Sequence, residues 1–206
     1  MEKKGLLIIV SGFAGTGKGT LMNLLLENYE DYVLSISATT RKPRPGEEEG
    51  RHYFFKTKEE FEQLIRDKGL LEYASYVGNY YGTPKAFVEE KLSQGKNVIL
   101  EIEIQGALKV KELFPQSLLL FILPPSAAEL KRRLEGRGTE TEDVIAQRLK
   151  RACEEIKGIE NYDYIVVNDD APAAAARIDM LVKAALLQPV RQKAFIESLG
   201  KELEQL

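Results

Sequence analysis

Residues 6–20, LLIIVSGFAGTGKGT, constrain this chain more than any other stretch: an apolar run breaks into glycines and then delivers a lysine. Residues 6–10 are too few and too uniformly apolar for an amphipathic surface helix, and they predict a strand buried on both faces. Gly12, Gly15 and Gly17 let the backbone turn tightly and expose its N–H groups around an anion. Lys18 reaches the same place, and the helix that follows points the positive end of its dipole there. This is the G-x-x-x-x-G-K phosphate-binding loop. It makes Gly12, Phe13, Ala14, Gly15, Thr16, Gly17, Lys18, Gly19 and Thr20 the candidate cradle of a nucleoside triphosphate. The competing explanation, a glycine-rich turn holding a chance lysine, needs strand, glycine spacing and helix to coincide.

The usual motif places Ser or Thr directly after the lysine as a ligand of Mg²⁺. Here Gly19 stands there and Thr20 comes one step later, a rotation of about 100° on a helix. Thr20 is therefore the candidate protein ligand of Mg²⁺ carried in with the nucleoside triphosphate, and no tight protein metal site is expected. With one His52 and one Cys153, a Cys/His zinc cluster and an intramolecular disulfide are both excluded. The G-K-G-T ending resembles that of nucleoside monophosphate kinases.

Strand and helix signals alternate along most of the 206 residues. Strands are expected at residues 32–38, 70–76, 79–82, 97–102, 117–123 and 164–167. Helices are expected after the loop, from the Thr57/Glu60 capping box, from Thr83-Pro84 to Gly95, over 106–113 and from Ser126 with Glu129. A further helix carries the stripe Ile145, Leu149, Ala152 and Ile156 as far as Gly158, and two more lie over 172–187 and 189–203. This predicts an α/β fold: a parallel β-sheet core flanked by helices, with ligands at the carboxyl ends of its strands. The alternation lapses at residues 37–83, the expected acceptor-binding insertion, and the charged segment 126–158 is the expected helical lid. The core then comprises residues 1–36, 84–125 and 159–206 of a single domain.

Charge excludes some partners. The net charge of −3 provides no basic field for a nucleic-acid polymer or a membrane surface. No apolar run approaches the ~20 residues of a membrane span, and MEKKG leads into a strand without a signal-peptide cleavage site. The expected location is cytoplasmic. The pattern leaves the oligomeric state open.

Four further segments carry candidate chemistry. In SATTRKPRPGEEEGRHY, starting at Ser37, Arg41 and Arg44 lie three apart in a proline-stiffened loop, with Tyr53 shortly after. Two guanidinium forks and a phenol suit a phosphate monoester, although four basic and three acidic residues over 41–51 also fit a solvated charged loop. Glu72 lies in an apolar, aromatic strand just before Tyr81, Gly82 and Thr83. A carboxylate there can accept the paired N–H donors of guanine, which adenine lacks; the alternative is a surface glutamate on an edge strand. Glu101 and Glu103 close an apolar strand, where period two places them on one face, ready for a nucleotide edge or water around a metal. Residues 131–151 hold seven basic and four acidic residues, among them Arg133, Arg137 and Arg148. Arginines on a closing lid can stabilise a transferring phosphoryl group. Asn168 ends the last strand, as a base reader or simply as a cap.

Together, TTRKPRPGEEEGRHYFF, GNYYGTP, LEIEIQG, LEGRGTET and IVVNDD, in that order, resemble the guanylate kinase family from Gly5 to about Leu187. The resemblance implies transfer of the γ-phosphoryl group of ATP to GMP, and to dGMP, giving ADP and GDP in purine nucleotide metabolism. It implies Ser37, Arg41, Arg44, Tyr53 and Tyr81 around the GMP phosphate, Glu72 and Thr83 on guanine, and Glu103 on the same nucleotide. It puts Lys18, Arg133, Arg137 and Arg148 on the transferring group, Asn168 on adenine, and Mg²⁺ with ATP. Thr83 and Glu103 depart from the family's usual serine and aspartate. Two other readings stay open: a non-catalytic guanylate-kinase-like binding module, and a related kinase acting on AMP, UMP or a ribose bisphosphate.

Overall fold

The computed structural model describes residues 4–76, 78–136 and 141–206. In chain order its first elements are β1 (Leu7–Gly12), α1 (Lys18–Asn28), β2 (Tyr32–Leu34), β3 (Ala38–Thr39), β4 (Phe54–Phe55) and α2 (Lys58–Arg66). There follow β5 (Leu70–Tyr76), β6 (Asn79–Pro84), α3 (Lys85–Ser93), β7 (Asn97–Glu101), α4 (Ile104–Leu113) and β8 (Leu118–Leu123). The remainder comprises α5 (Ala127–Glu135), α6 (Glu142–Glu155), β9 (Tyr164–Val167), α7 (Ala171–Leu186) and α8 (Lys193–Leu203).

The central sheet has the order β2-β7-β1-β8-β9, and every pairing in it is parallel. Parallel strands need covering on both faces, and residue alternation distributes the cover. Leu7, Ile9, Val98, Leu100, Leu119 and Phe121 pack beneath α3, α4, α5 and α6. Ile8, Val10, Ile99, Leu120, Ile122 and Val166 pack beneath α1 and α7. The doubly covered α/β fold expected from the sequence is the one observed. Its consequence for function is geometric: the chain leaves β1, β2, β7, β8 and β9 at the same edge, so Gly12, Ser35, Glu101, Leu123 and Asn168 come out together there.

A second sheet, β4-β3-β6-β5, is smaller and mixed, with β3 parallel to β4 and antiparallel to β6. Helix α2 covers it through Phe61, which is fully buried and stacked on Tyr80 with ring centroids 5.3 Å apart. The reciprocal Thr57/Glu60 capping box opens that helix as its sequence predicts.

Several local expectations are corrected. Residues 32–38 do not form one strand. The Ser35 N–H donates to Ile99 O at 2.8 Å, and the chain then crosses from the central sheet into the smaller one. Strand β6 continues through Pro84, which caps α3 instead of lying within it. Helix α6 ends at Glu155 in a 3₁₀ turn, and Ile156 lies 55% exposed outside the core stripe. The helix expected over 189–203 is a 3₁₀ turn, Pro189–Arg191, followed by α8, whose large apolar residues are exposed. Glu101 ends β7, but Glu103 is the N-cap of α4; the strand has already ended, so period two does not relate them.

Phe121 links this core to the phosphate loop. Fully buried in β8, it meets Phe13 edge-on at 5.3 Å on one side and Tyr162 at 5.0 Å on the other. Phe121→Ala is expected to cost about 3–5 kcal/mol of stability, measured by urea unfolding. A loss under ~1 kcal/mol would mean that the cluster does not support the loop.

Candidate active site

The loop between β1 and α1 begins with a close approach. A Cβ on Gly12 would lie 2.5 Å from the Ile122 carbonyl oxygen of β8, so no larger residue lets the loop leave the sheet here. Gly17 has φ +86°, in the left-handed region, and caps α1. Lys18, the first residue of α1, reaches back over the loop and donates from Nζ to Gly12 O at 2.8 Å and Phe13 O at 3.2 Å. The buried Thr16 hydroxyl donates to Phe13 O at 2.9 Å and braces the turn. Lysine, glycine backbone and helix N-terminus thus converge as the sequence predicts. Among the described residues nothing lies within 4 Å of a Cβ built on Gly19, and Thr20 is exposed on the first turn of α1.

Across the same sheet edge, a cavity of about 280 Å³ is lined by Ser35, Ser37, His52, Tyr53, Thr83 and Glu101, among others. Ser37, Tyr53 and Thr83 were expected there. His52 was not; its Nδ1 accepts the Glu48 N–H at 3.0 Å, which fixes the turn beside the cavity. The Arg41 guanidinium stands 5.3 Å from the Tyr53 ring centroid, and the Tyr53 and Tyr81 rings are 6.2 Å apart. Arg44 is exposed on the neighbouring turn.

The sequence reading missed what holds Arg41. Glu47 takes the guanidinium in a two-pronged pair, 2.9 Å from NH1 and 2.8 Å from NH2, and it also accepts the Arg44 N–H at 2.8 Å. These bonds hold the Glu47 carboxyl down at about 2, well below its ordinary range, and keep Arg41 firmly protonated. The signal was present in the sequence as an acid six residues past Arg41, across a Pro-Gly turn.

The fold brings Glu72 and Thr83 together. Thr83, 1% exposed in β6, donates its hydroxyl to Glu72 Oε1 at 2.8 Å. The other carboxylate oxygen faces α4, where a Cβ on Gly106 would lie 3.3 Å from it. Burial pushes the Glu72 carboxyl up; the Thr83 bond and the Lys109 charge oppose this, and Glu103 adds to it. Glu103 itself is exposed and pairs with Arg151 of α6 at 2.6 Å, tying the end of α4 to the lid.

On α5, Arg133 is braced by Glu129, which accepts from its Nε at 2.7 Å. NH2 donates to Asn168 O at 2.9 Å, and NH1 approaches Thr16 O at 3.4 Å. Arg132 and Arg133 hold the Glu129 carboxyl at about 2. Among the described residues these contacts engage three of the five guanidinium N–H groups, one on Nε, one on NH1 and one on NH2. Arg148 is half-buried on α6. Arg137 lies outside the described residues. Asn168 is buried, and its carboxamide donates to Thr16 O at 2.7 Å instead of facing an open pocket. Among the described residues, no group of three or more His, Cys, Asp or Glu is placed to hold a metal ion.

The arrangement is therefore a nest of loop N–H groups with a lysine and a braced arginine, facing a cavity with a held guanidinium and a half-buried carboxylate. It suits two phosphate-bearing ligands that meet between them.

A raised carboxyl pKa means that ionising Glu72 costs the folded state. That cost is absent below the ordinary value of 4.5 and grows as pH rises through the folded value. Glu72→Gln is therefore expected to raise the melting temperature at pH 7.5 and to raise it less, or not at all, at pH 4. A lower melting temperature at pH 7.5 would contradict the assignment.

The chain is similar to known proteins over most of its length. The sequence profile described as Guanylate kinase matches residues 4–185. A guanylate kinase of Oceanobacillus iheyensis is 52% identical over 191 residues, 93% of each chain. One of Caldanaerobacter subterraneus subsp. tengcongensis is 49% identical over 202 residues, 98% of each chain. The crystal structure of guanylate kinase from Anaplasma phagocytophilum superposes with a TM-score of 0.71 at 36% identity, covering 92% of this chain and 90% of that one.

Proposed function

This chain belongs to the guanylate kinase family and, on that premise, transfers the γ-phosphoryl group of ATP to GMP, giving ADP and GDP; we propose how its residues divide that work. The observation that carries the proposal is the pairing of the Lys18 loop with a half-buried Glu72 carboxylate held by buried Thr83 at one edge of the parallel sheet.

The reaction needs no dedicated base. With a second pKa near 6, the phosphate of GMP is largely a dianion at pH 7, and its oxygen attacks the γ-phosphorus directly while the bond to the ADP oxygen breaks. The difficulty is to hold two mutually repelling anions in line and to neutralise the charge that shifts toward ADP. Residues 12–20 hold the triphosphate through their N–H groups. Lys18 follows the charge, and Arg133, Arg137 and Arg148 of the lid complete its neutralisation. Ser37, Arg41, Arg44, Tyr53 and Tyr81 hold the acceptor phosphate.

Glu72 and Thr83 read guanine: the carboxylate accepts the paired N–H groups of that base. Adenine offers no such pair and leaves the half-buried carboxylate with the Thr83 donor but without the base's N–H groups, a penalty that disfavours it. Glu103, freed from Arg151, completes the contact, and the 2-deoxy nucleotide dGMP fits the same set. Closure of the lid and of the smaller sheet excludes water, which would otherwise hydrolyse ATP.

A divalent metal accompanies ATP in this family, and we assign it as Mg²⁺. The residues present fit an ion delivered with the nucleotide, since the loop offers the Thr20 hydroxyl and no cage of carboxylates. When bound, the ion supplies charge neutralisation on the phosphate oxygens. Among the described residues, no helix is long and apolar enough to cross a membrane. We place the protein in the cytoplasm, with its two nucleotide substrates.

ADP release from ATP and Mg²⁺ is expected with GMP and dGMP and not with AMP or UMP; comparable rates with AMP would overturn the role of Glu72. Lys18→Met is expected to lower kcat at least about 100-fold with an unchanged melting temperature, and near-wild-type turnover would remove Lys18 from the chemistry.

A further inference from the structure

Asn168 is pinned at the end of β9 by contacts on all sides. Its backbone N–H donates to Leu123 O at 2.8 Å, its carbonyl accepts from Arg133 NH2 at 2.9 Å, and the residue is 4% exposed. Its carboxamide Nδ2 donates to Thr16 O at 2.7 Å, a buried bond between residues 152 apart in sequence. A Cβ on Gly17 would lie 2.6 Å from that nitrogen, so the next residue must be glycine for the contact to exist.

The Thr16–Gly17 peptide is trans, and in a planar trans peptide the C=O and N–H point in opposite directions. Holding Thr16 O against Asn168 therefore turns the Gly17 N–H away from β9, into the loop. An aspartate at this position would have no donor for Thr16 O and would set one oxygen against another.

We infer that Asn168 is a positioning residue of the phosphate loop: its carboxamide holds the Thr16 carbonyl and so aims the Gly17 N–H at the triphosphate. Arg133 reaches the same carbonyl from α5, so the lid helix and β9 grip one peptide of the loop between them. The role differs from the adenine contact that the family resemblance implies for Asn168. A base reader matters only when a base is present, whereas a loop-positioning residue matters equally for a bare phosphate chain. The inference rests on the loop being the triphosphate site.

The test uses the full-length protein and Mg²⁺-tripolyphosphate, which has phosphates and no base. In Asn168→Asp and Asn168→Ser, the inhibition constant of tripolyphosphate against ATP is expected to rise about tenfold, in step with KM for ATP. The kcat/KM preference for ATP over CTP should stay within about twofold, as should KM for GMP. An unchanged tripolyphosphate constant with a reduced ATP-over-CTP preference would overturn the inference in favour of base reading.

The unaltered protein supplies a second measurement should the variants fail to fold. The Asn168 side-chain amide resonances are expected to exchange slowly with solvent and to shift when tripolyphosphate alone is added. Exchange at the rate of a free amide would overturn the inference. Wild-type protein that tripolyphosphate does not inhibit would overturn the loop assignment itself, and the inference with it.

Discussion

The site depends on one close approach between neighbouring strands. Where β1 ends, Gly12 lies so near the Ile122 carbonyl that a Cβ would come within 2.5 Å of that oxygen. The parallel pairing that produces this contact also fixes where the loop emerges, because Gly12 is the partner of Ile122 in the ladder. From that point the chain turns over Lys18 and enters α1, so the N–H groups and the helix dipole act on the same small volume. Core residues reach the loop as well: Phe13 packs on Phe121 from below. The core and the anion-binding loop thus meet at Phe13.

The second theme is that acids hold the arginines. Glu47 grips Arg41 and Glu129 grips Arg133, each through charged hydrogen bonds that hold the carboxyl at about 2. A free arginine would leave its fork in many orientations, and ordering it on binding would cost rotamer entropy. A carboxylate that occupies part of the fork limits the orientations left to it; Arg41 NH1 also donates to Lys42 O at 2.8 Å. Glu72 is the opposite case. It gains one hydroxyl donor from Thr83 and the opposing charge of Lys109, yet burial still pushes its carboxyl up. Two sets of carboxylates do different work because their surroundings differ.

Much of this was legible in the sequence because it is local. The loop, its strand and its helix occupy consecutive residues, and β1, β7 and β8 are read from short apolar runs that only a doubly covered sheet can bury. The capping box at Thr57 and the cap at Ser126 are also local signals. The rest depends on contacts across the fold. The break after Leu34 follows from a choice between two sheets, and a run of suitable strand residues carries no mark of it. Ile156 continues a helical stripe on paper, but the helix has already tightened into a 3₁₀ turn. Glu103 continues an apolar strand pattern, but β7 ends two residues earlier, at Glu101. Asn168 reads as a base contact or a cap, and only the folded chain brings it to Thr16.

The central claim is that one protein surface holds two nucleotides with their phosphates in line across the sheet edge. A single molecule carrying adenosine and guanosine on the two ends of a five-phosphate chain tests it most directly, by calorimetric titration against ATP, GMP and the equivalent bis-adenosine compound. Linking the two ligands converts the second binding event into an intramolecular one, so a gain of about 10²-fold or more over ATP alone is expected, with the bis-adenosine compound well behind. Affinity no better than that of ATP, or equal affinity for both linked compounds, would contradict the account.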